Sequence, residues 1–310
     1  MAVYTIEPER RTLHGHFSRD LPPILTIEPG DTVHFRTIDA GWGLEPLIRR
    51  DIPRKQFEPR HAELDKGHAL CGPVEIKGAQ PGMVLEVRIE EVRPGLYGWT
   101  DAGGWSSEPN DRLGVAQEGI TLAWSLDPDA LTGRNQLGHA IALHPFMGVM
   151  GMPPAEPGVH PTAPPRATGG NIDCKELVAG SNLYLPVEVP GGLFSVGDGH
   201  AAQGDGEVST TAIECPMERV TLTFSLQDGP PLKTPRANTP VGWITLGFHK
   251  DLLEANMLAL EAMLDLMMAQ YNLSRLEALG MASLVVDMHV TQIVNGVRGV
   301  HAILPHGAIK

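Results

Sequence analysis

Apolar and polar positions alternate in short runs along most of the chain. Ile24-Leu25-Thr26-Ile27-Glu28 leads through Pro29-Gly30-Asp31 into Thr32-Val33-His34-Phe35-Arg36-Thr37, which predicts strand, turn and strand. Pro73-Val74-Glu75-Ile76 and Val84-Leu85-Glu86-Val87-Arg88-Ile89 repeat that arrangement around Pro81-Gly82. The shared signature fits a weak internal duplication, although Pro-Gly turns are common enough to arise without one. A second set of strands is predicted over Tyr184–Val189, Thr210–Glu214 and Val220–Leu226, and a third over Val290–Val294 and Val297–Leu304. Residues 145–170, rich in Pro and Gly with little charge, predict a structured but irregular segment.

One region departs from the period of two. Between Asp251 and Tyr271 the residues Leu252, Leu253, Met257, Leu260, Met263, Leu264 and Met267 recur at helical spacing, with Asp251 and Glu254 placed as a capping box. Ser274 and Glu277 offer a second box ahead of Leu276, Leu279 and Leu284, so two helices are predicted at about 251–284. The Met-rich stripe reads as packing, and it is apolar enough to supply a subunit contact. The fold class is therefore mainly β (α+β), sandwich- or barrel-like strands with a C-terminal helical insertion. Residues 1–310 read as a single domain, with two β-rich halves, 1–135 and 136–310, as the alternative.

Composition agrees with many turns and short strands: 35 Gly and 27 Pro among 310 residues, 42% apolar and 20% charged. A net charge of −13 argues against nucleic acid as a partner, because phosphate binding rests on clustered Lys and Arg. The start Met1-Ala2-Val3-Tyr4-Thr5-Ile6-Glu7 lacks a basic segment followed by an apolar stretch, and no run is long enough to span a membrane, so a cytoplasmic protein is expected. Cys71, Cys174 and Cys215 are far apart and read as buried free thiols.

The chemistry concentrates in Gly197-Asp198-Gly199-His200-Ala201-Ala202-Gln203-Gly204-Asp205-Gly206-Glu207, directly behind the apolar Leu193-Phe194-Ser195-Val196. If Asp198 to His200 is extended, its two polar side chains share a face and converge on one cation; Asp205 and Glu207 repeat the spacing. A single Gly-Asp-Gly would be an ordinary turn, but two of them flanking His and Gln point to a functional loop between strands. A second polar cluster, Gly169-Gly170-Asn171-Ile172-Asp173, precedes it. Both loops together offer Asp173, Asp198 and His200 as metal ligands and leave Glu207 or Asp205 to manage a proton. That set suits Zn²⁺ or a similar divalent ion, with Ca²⁺ as an alternative, and metal-assisted hydrolysis as the reaction. Taken alone, Asp173 is equally an Asx-turn or helix cap before Lys175, and Asp39 is either a turn residue or a third-loop contribution. His14, His16, His34 and His144 read as packing or surface residues. Cys174-Lys175-Glu176 cannot all converge on one point from an extended chain, which argues against a thiol-based amidase.

These strings, with Leu183-Tyr184-Leu185-Pro186-Val187, His144-Pro145-Phe146-Met147-Gly148, Gly72-Pro73-Val74, Gly78-Ala79-Gln80-Pro81-Gly82 and Gln292-Ile293-Val294-Asn295, resemble the acetamidase/formamidase family over nearly the whole chain. The resemblance implies a β-rich, metal-containing, homo-oligomeric cytoplasmic enzyme that hydrolyses a small linear amide, formamide or acetamide, to the carboxylic acid and ammonia. It implies Asp173, Asp198 and His200 in the metal group, Glu207 as proton carrier, and Asn171, Gln203 and Asp205 shaping the pocket; the residues themselves add Asp205 as a catalytic candidate beside Glu207 and Asp39 as a candidate substrate contact. Cys174 stands where the family often has Asn, and Gly199 where a bulkier residue is frequent. A non-catalytic metal-binding β protein and a hydrolase of bulkier amides are the competing readings.

Overall fold

Runs of β-branched and aromatic residues separated by turns build two large sheets in the computed structural model, which describes residues 1–310. The first has nine strands in the order Val3–Ile6, Thr32–Phe35, Met217–Gln227, Val84–Pro94, Asn182–Pro186, Arg236–Thr239, Gly242–His249, Arg298–Pro305 and Asp287–Gln292. Its centre is the long antiparallel pair Met217–Gln227 and Val84–Pro94, in register at Leu222 with Ile89 and Phe224 with Val87. The second has eleven strands. Its path runs from Ala140–Ala142 through Thr132–Asn135, Gly119–Asp127, Tyr97–Gly103, Glu214–Cys215, Phe194–His200 and Phe146–Gly151 to Gly169–Asn171, and Leu70–Ile76 also pairs with Phe194–His200.

The two sheets bury their apolar sides in one cluster of 40 residues that draws on both, from Ile6 to Ile303. Phe194 of one sheet meets Phe224 of the other nearly edge-on, ring centres 5.1 Å apart. This is the mainly β architecture that alternation predicts.

Three expectations need correction. Residues 145–170 are not irregular throughout: Phe146–Gly151 is a strand, buried along its whole length and paired with Phe194–His200. It has no alternation because both faces are covered, so it reads as a continuous apolar run with glycines. Asp198 and His200 belong to the Phe194–His200 strand and not to a loop. The strand expected over Thr210–Glu214 shrinks to Glu214–Cys215, because Thr210 adopts a positive φ of 72° and breaks the extension.

The helices Leu252–Tyr271 and Arg275–Val285 fall where periodicity places them. Asp251 caps the first by accepting from the backbone N–H of Leu253 (2.8 Å) and Glu254 (3.1 Å). Ser274 and Glu277 close a complete capping box on the second. The packing face keeps the expected Met263, Leu264 and Met267 but departs from the stripe at the start of the first helix, where Ala255 and Ala259 are buried while Leu252, Leu253 and Met257 are exposed. The cause is close approach. The helix lies against Gly247, where an added Cβ would stand 2.1 Å from the Ala255 carbonyl oxygen, so at this crossing only small residues, Ala255 and Ala259, fit between helix and sheet. No helix is long and apolar enough to cross a membrane.

Candidate metal and amide site

Three backbone segments converge at one end of the second sheet. Phe194–His200 brings Asp198 and His200; its neighbour Glu214–Cys215, in register at His200 with Glu214, adds a carboxylate; and the turn after Gly169–Asn171 adds Asp173. The loop carrying Glu207 is pinned to the other sheet, because Gly206 donates to the Thr291 carbonyl (3.0 Å) and accepts from Ile293 N–H (3.0 Å). Gln292 in that sheet donates to the Asn171 carbonyl at 3.0 Å, holding the Asn171–Asp173 turn in the same place.

Asp173, Asp198, His200, Glu207 and Glu214 are each between 1% and 6% exposed. Their ligand atoms form two overlapping groups, Asp198 with His200 and Glu214, and Asp173 with His200 and Glu207, each within 4.8 Å. His200 Nε2 is 3.3 Å from Asp198 Oδ1 and 3.3 Å from Glu214 Oε1. On the far side of the ring, Nδ1 meets Gln203 Oε1 at 2.9 Å; Nδ1–H donates there, so Nε2 faces the carboxylates. Gln203 Nε2 donates in turn to the Asp173 carbonyl at 2.7 Å.

Asp173, Asp198 and Glu207 all have positive φ, 54°, 60° and 45°, a conformation that costs a non-glycine residue of the order of 1–3 kcal/mol. Three strained carboxylates around one imidazole are placed for chemistry rather than stability. Gly148 opens the space between them: a Cβ there would lie 2.9 Å from Asp198 Oδ2, 2.9 Å from His200 Cε1 and 3.0 Å from Asp173 Oδ1.

The electrostatics separate the carboxylates into two kinds. Burial, then the neighbouring Asp198 charge, pushes Asp173 up to about 8 against the pull of His200. Burial and the Asp173 charge push Glu207 well above the usual carboxylate range. Glu214 is raised to about 7, chiefly by burial and then by Asp198. Asp198 is held low: burial opposes its charge, but His68 and His200 outweigh it. Burial also works against a charged His200, yet Glu214 and Asp198 raise its imidazole well above the ordinary value.

A cavity of about 620 Å³ opens onto this cluster, lined among others by Asp198, Glu207, Glu214, Asn171, His68 and Trp42. Asn171 Nδ2 donates to the Ala163 carbonyl at 3.0 Å, which leaves its Oδ1 buried, unpartnered and available to a ligand. Asn295 donates weakly to Asp173 Oδ2 at 3.4 Å, and His68 Nε2 stands 4.0 Å from Asp198 Oδ2.

The sequence-derived candidates divide accordingly. Asp173, Asp198, His200 and Glu207 come together, with Asn171 on the cavity wall. Gln203 lies behind the imidazole and orients it, off this wall. Asp205 turns away to Lys175 Nζ (2.6 Å) and His289 Nδ1 (2.9 Å), because neighbours two apart share a side only in an extended chain and this loop turns at Gly206. Asp39 is fully buried and saturated by Arg54 at 2.5 and 3.0 Å and Gly43 N–H at 2.9 Å, so it shapes the loop whose Ala40, Gly41 and Trp42 line the cavity. Sequence reasoning missed Glu214, His68 and Asn295. Glu214 had a signal, a carboxylate inside the apolar run Ala212-Ile213-Glu214-Cys215; His68 sits in a charged loop and had none. Gly199 is explained by packing: a Cβ would press within 2.7 Å of the Cys215 carbonyl and the Met217 side chain.

The family model described as the Acetamidase/Formamidase family matches residues 4–160 and 155–241. The chain is 31% identical over 254 residues to a Schizosaccharomyces pombe protein named "Putative formamidase", covering 65% of this chain and 60% of that one. It is 27% identical to the acetamidase of Mycolicibacterium smegmatis, covering 63% of this chain and 61% of that one. The chain thus spans about three fifths of the length of these curated relatives. The crystal structure of acetamidase from Yersinia enterocolitica superposes with a TM-score of 0.86 at 26% identity, covering 99% of this chain and 93% of that one. The family-model match, which spans well over half of the sequence, leads to one placement: the chain belongs to the acetamidase/formamidase family.

Proposed function

We propose that this protein is a metal-dependent amidohydrolase that cleaves a short aliphatic amide, formamide or acetamide, to the carboxylic acid and ammonia. The observation that carries the metal is the set of five buried atoms without hydrogen-bond partners, Asp173 Oδ1, Asp198 Oδ1, His200 Nε2, Glu207 Oε2 and Glu214 Oε2, in one cluster. Oxygens and an imidazole nitrogen buried this way fit a divalent cation, Zn²⁺ before Ca²⁺ because of the nitrogen. Asp198, His200 and Glu214 would hold it, since both carboxylates meet Nε2 at 3.3 Å, about the ligand separation of a tetrahedral site. Asp173, expected among the ligands from sequence, is assigned instead to a proton-sharing pair with Glu207. When bound, the ion acidifies water and polarises a carbonyl.

The chain's own groups do the rest. Glu207 faces the cavity and takes a proton from the attacking water, then returns it to the departing nitrogen; Asp173, itself raised to about 8, keeps that proton shared. Asn171 Oδ1 accepts from the amide NH₂ and sets the nitrogen toward Glu207. Oxygen from water ends on the acyl carbon, the C–N bond breaks, and ammonia leaves. The volume of about 620 Å³ and the Trp42 and Trp99 walls favour one second reading, hydrolysis of a bulkier amide. Cytoplasmic location and homo-oligomeric assembly belong to the same proposal; exposed Leu253 and Met257 on the first helix and Leu276 and Leu284 on the second support a subunit contact there.

Ammonia release from formamide, acetamide and larger amides tests the reading. Glu207→Gln should reduce kcat by at least about 100-fold with the fold intact. Chelation should abolish turnover and added metal should restore it. Undiminished turnover in the variant, or no ammonia from any amide, rejects the proposal.

A further inference from the structure

A second group of ligand-type side chains lies on the other side of the Asp173 turn. Sequence reasoning held that Cys174, Lys175 and Glu176 cannot meet, but the segment turns there, Leu177 N–H donating to the Cys174 carbonyl at 3.0 Å. Cys174 Sγ approaches Glu176 Oε2 at 3.3 Å. His301, on the inward face of Arg298–Pro305, places Nε2 3.3 Å from the same Oε2. All three ligand atoms lie within 4.8 Å of one another.

His301 is fully buried, and its Nε2 has no hydrogen-bond partner. Its Nδ1 is engaged by Thr291 Oγ1 at 2.8 Å, and its ring stacks on His289, centroids 5.0 Å apart and 10° from parallel. In the tautomer whose Nδ1–H donates to Thr291 Oγ1, Nε2 turns a lone pair toward the Glu176 carboxylate oxygen, an arrangement that a cation between them relieves. Lys175 Nζ binds Glu176 Oε1 at 2.5 Å, which leaves Oε2 to the Cys174 thiol and His301. The two separations of 3.3 Å approximate edges of a tetrahedron of S, O and N ligands around one ion.

We propose that Cys174, Glu176 and His301 form a second divalent-metal site, selective for zinc-like ions by its thiolate and imidazole, distinct from the carboxylate cluster. Solvent at the partly exposed Lys175 edge supplies the remaining donor. Binding displaces the Cys174 thiol proton to solvent, so the step is ligand exchange with no redox change. The site does not rest on the amidase reading, because it shares no ligand with Asp198, His200 or Glu214. An ion there would brace the turn that carries Asp173 against the strand that carries His301.

The full chain, stripped with chelator and reloaded with Zn²⁺, should hold about two ions by elemental analysis, falling to about one in Cys174→Ala and in Glu176→Gln. Reloading with Co²⁺ should give a thiolate-to-cobalt charge-transfer band in the near ultraviolet that survives Cys215→Ala and His200→Ala and vanishes in Cys174→Ala. The carboxylate cluster, having no sulfur ligand, cannot produce that band, so failure here is separate from failure of the amidase reading. Folded, cobalt-loaded wild type without the band overturns the site and leaves an ion pair only. So does a band that persists in Cys174→Ala, or undiminished metal content in Glu176→Gln, which keeps the side-chain volume should the alanine variant fail to fold.

Discussion

His14 shows how much one buried titratable group contributes outside the reaction centre. It is wholly buried, bonded through Nδ1 to the His16 carbonyl at 2.7 Å and through Nε2 to Ser195 Oγ at 2.9 Å. Burial, with lesser opposing effects from the His16 carbonyl bond, lowers it from 6.5 to about 4. Between those values the unfolded chain binds more protons than the folded one, so stability is whole above 6.5 and is lost as the pH falls toward 4, by up to about 3 kcal/mol. His14→Asn should flatten that part of the urea midpoint against pH curve; an unchanged slope would show that His14 is protonated in the native state. At this scale, legibility followed geometry. The spacing of Asp198 and His200 was readable because a strand repeats every two residues, whereas Asp39 could not be told from a ligand because a turn carboxylate and a catalytic one look alike until Arg54 is seen beside it.

The elements were legible where one face of each is wet. Alternation located parts of two strands, Val84–Ile89 of Val84–Pro94 and Val220–Leu226 of Met217–Gln227, but Phe146–Gly151, covered on both sides, carried no period to detect. The first long helix was located and its stripe read rightly at Met263, Leu264 and Met267, but over its first turns contact with the sheet is made through Ala255 and Ala259 over Gly247 and not through Leu253 and Met257. Side-chain size, not hydrophobicity, decides the docking face when two backbones come this close. Gly247→Val should therefore force the helix off the Gly242–His249 strand, at a cost of about 1–3 kcal/mol or more. Denaturant unfolding gives the loss, and hydrogen exchange should show it concentrated in Leu252–Tyr271. Full stability in the variant would contradict this packing.

For the molecule as a whole, the carboxylate cluster is a liability that a cation removes. Asp173, Asp198, Glu207 and Glu214 crowd one imidazole inside a chain already carrying −13, and three of the four bear backbone strain. An ion that binds only the folded chain stabilises it by about 2.7 kcal/mol at a concentration 100 times its Kd. Verified removal of metal should then lower Tm by several degrees, and restoring Zn²⁺ should recover it. Without the ion, Asp173 sheds its proton near 8, well above the unfolded value of 3.8, so the contribution of its protonated form is present at low pH and is lost as pH rises through that point. The metal-free protein should consequently lose stability more steeply than the loaded one as the pH rises from about 4 to about 8, with no further loss from this group above that. Asp173→Asn, which places a neutral amide of the same shape in the turn, should remove most of that difference. Parallel Tm-against-pH curves for loaded and stripped wild type would mean that these carboxylates do not sense the ion at all.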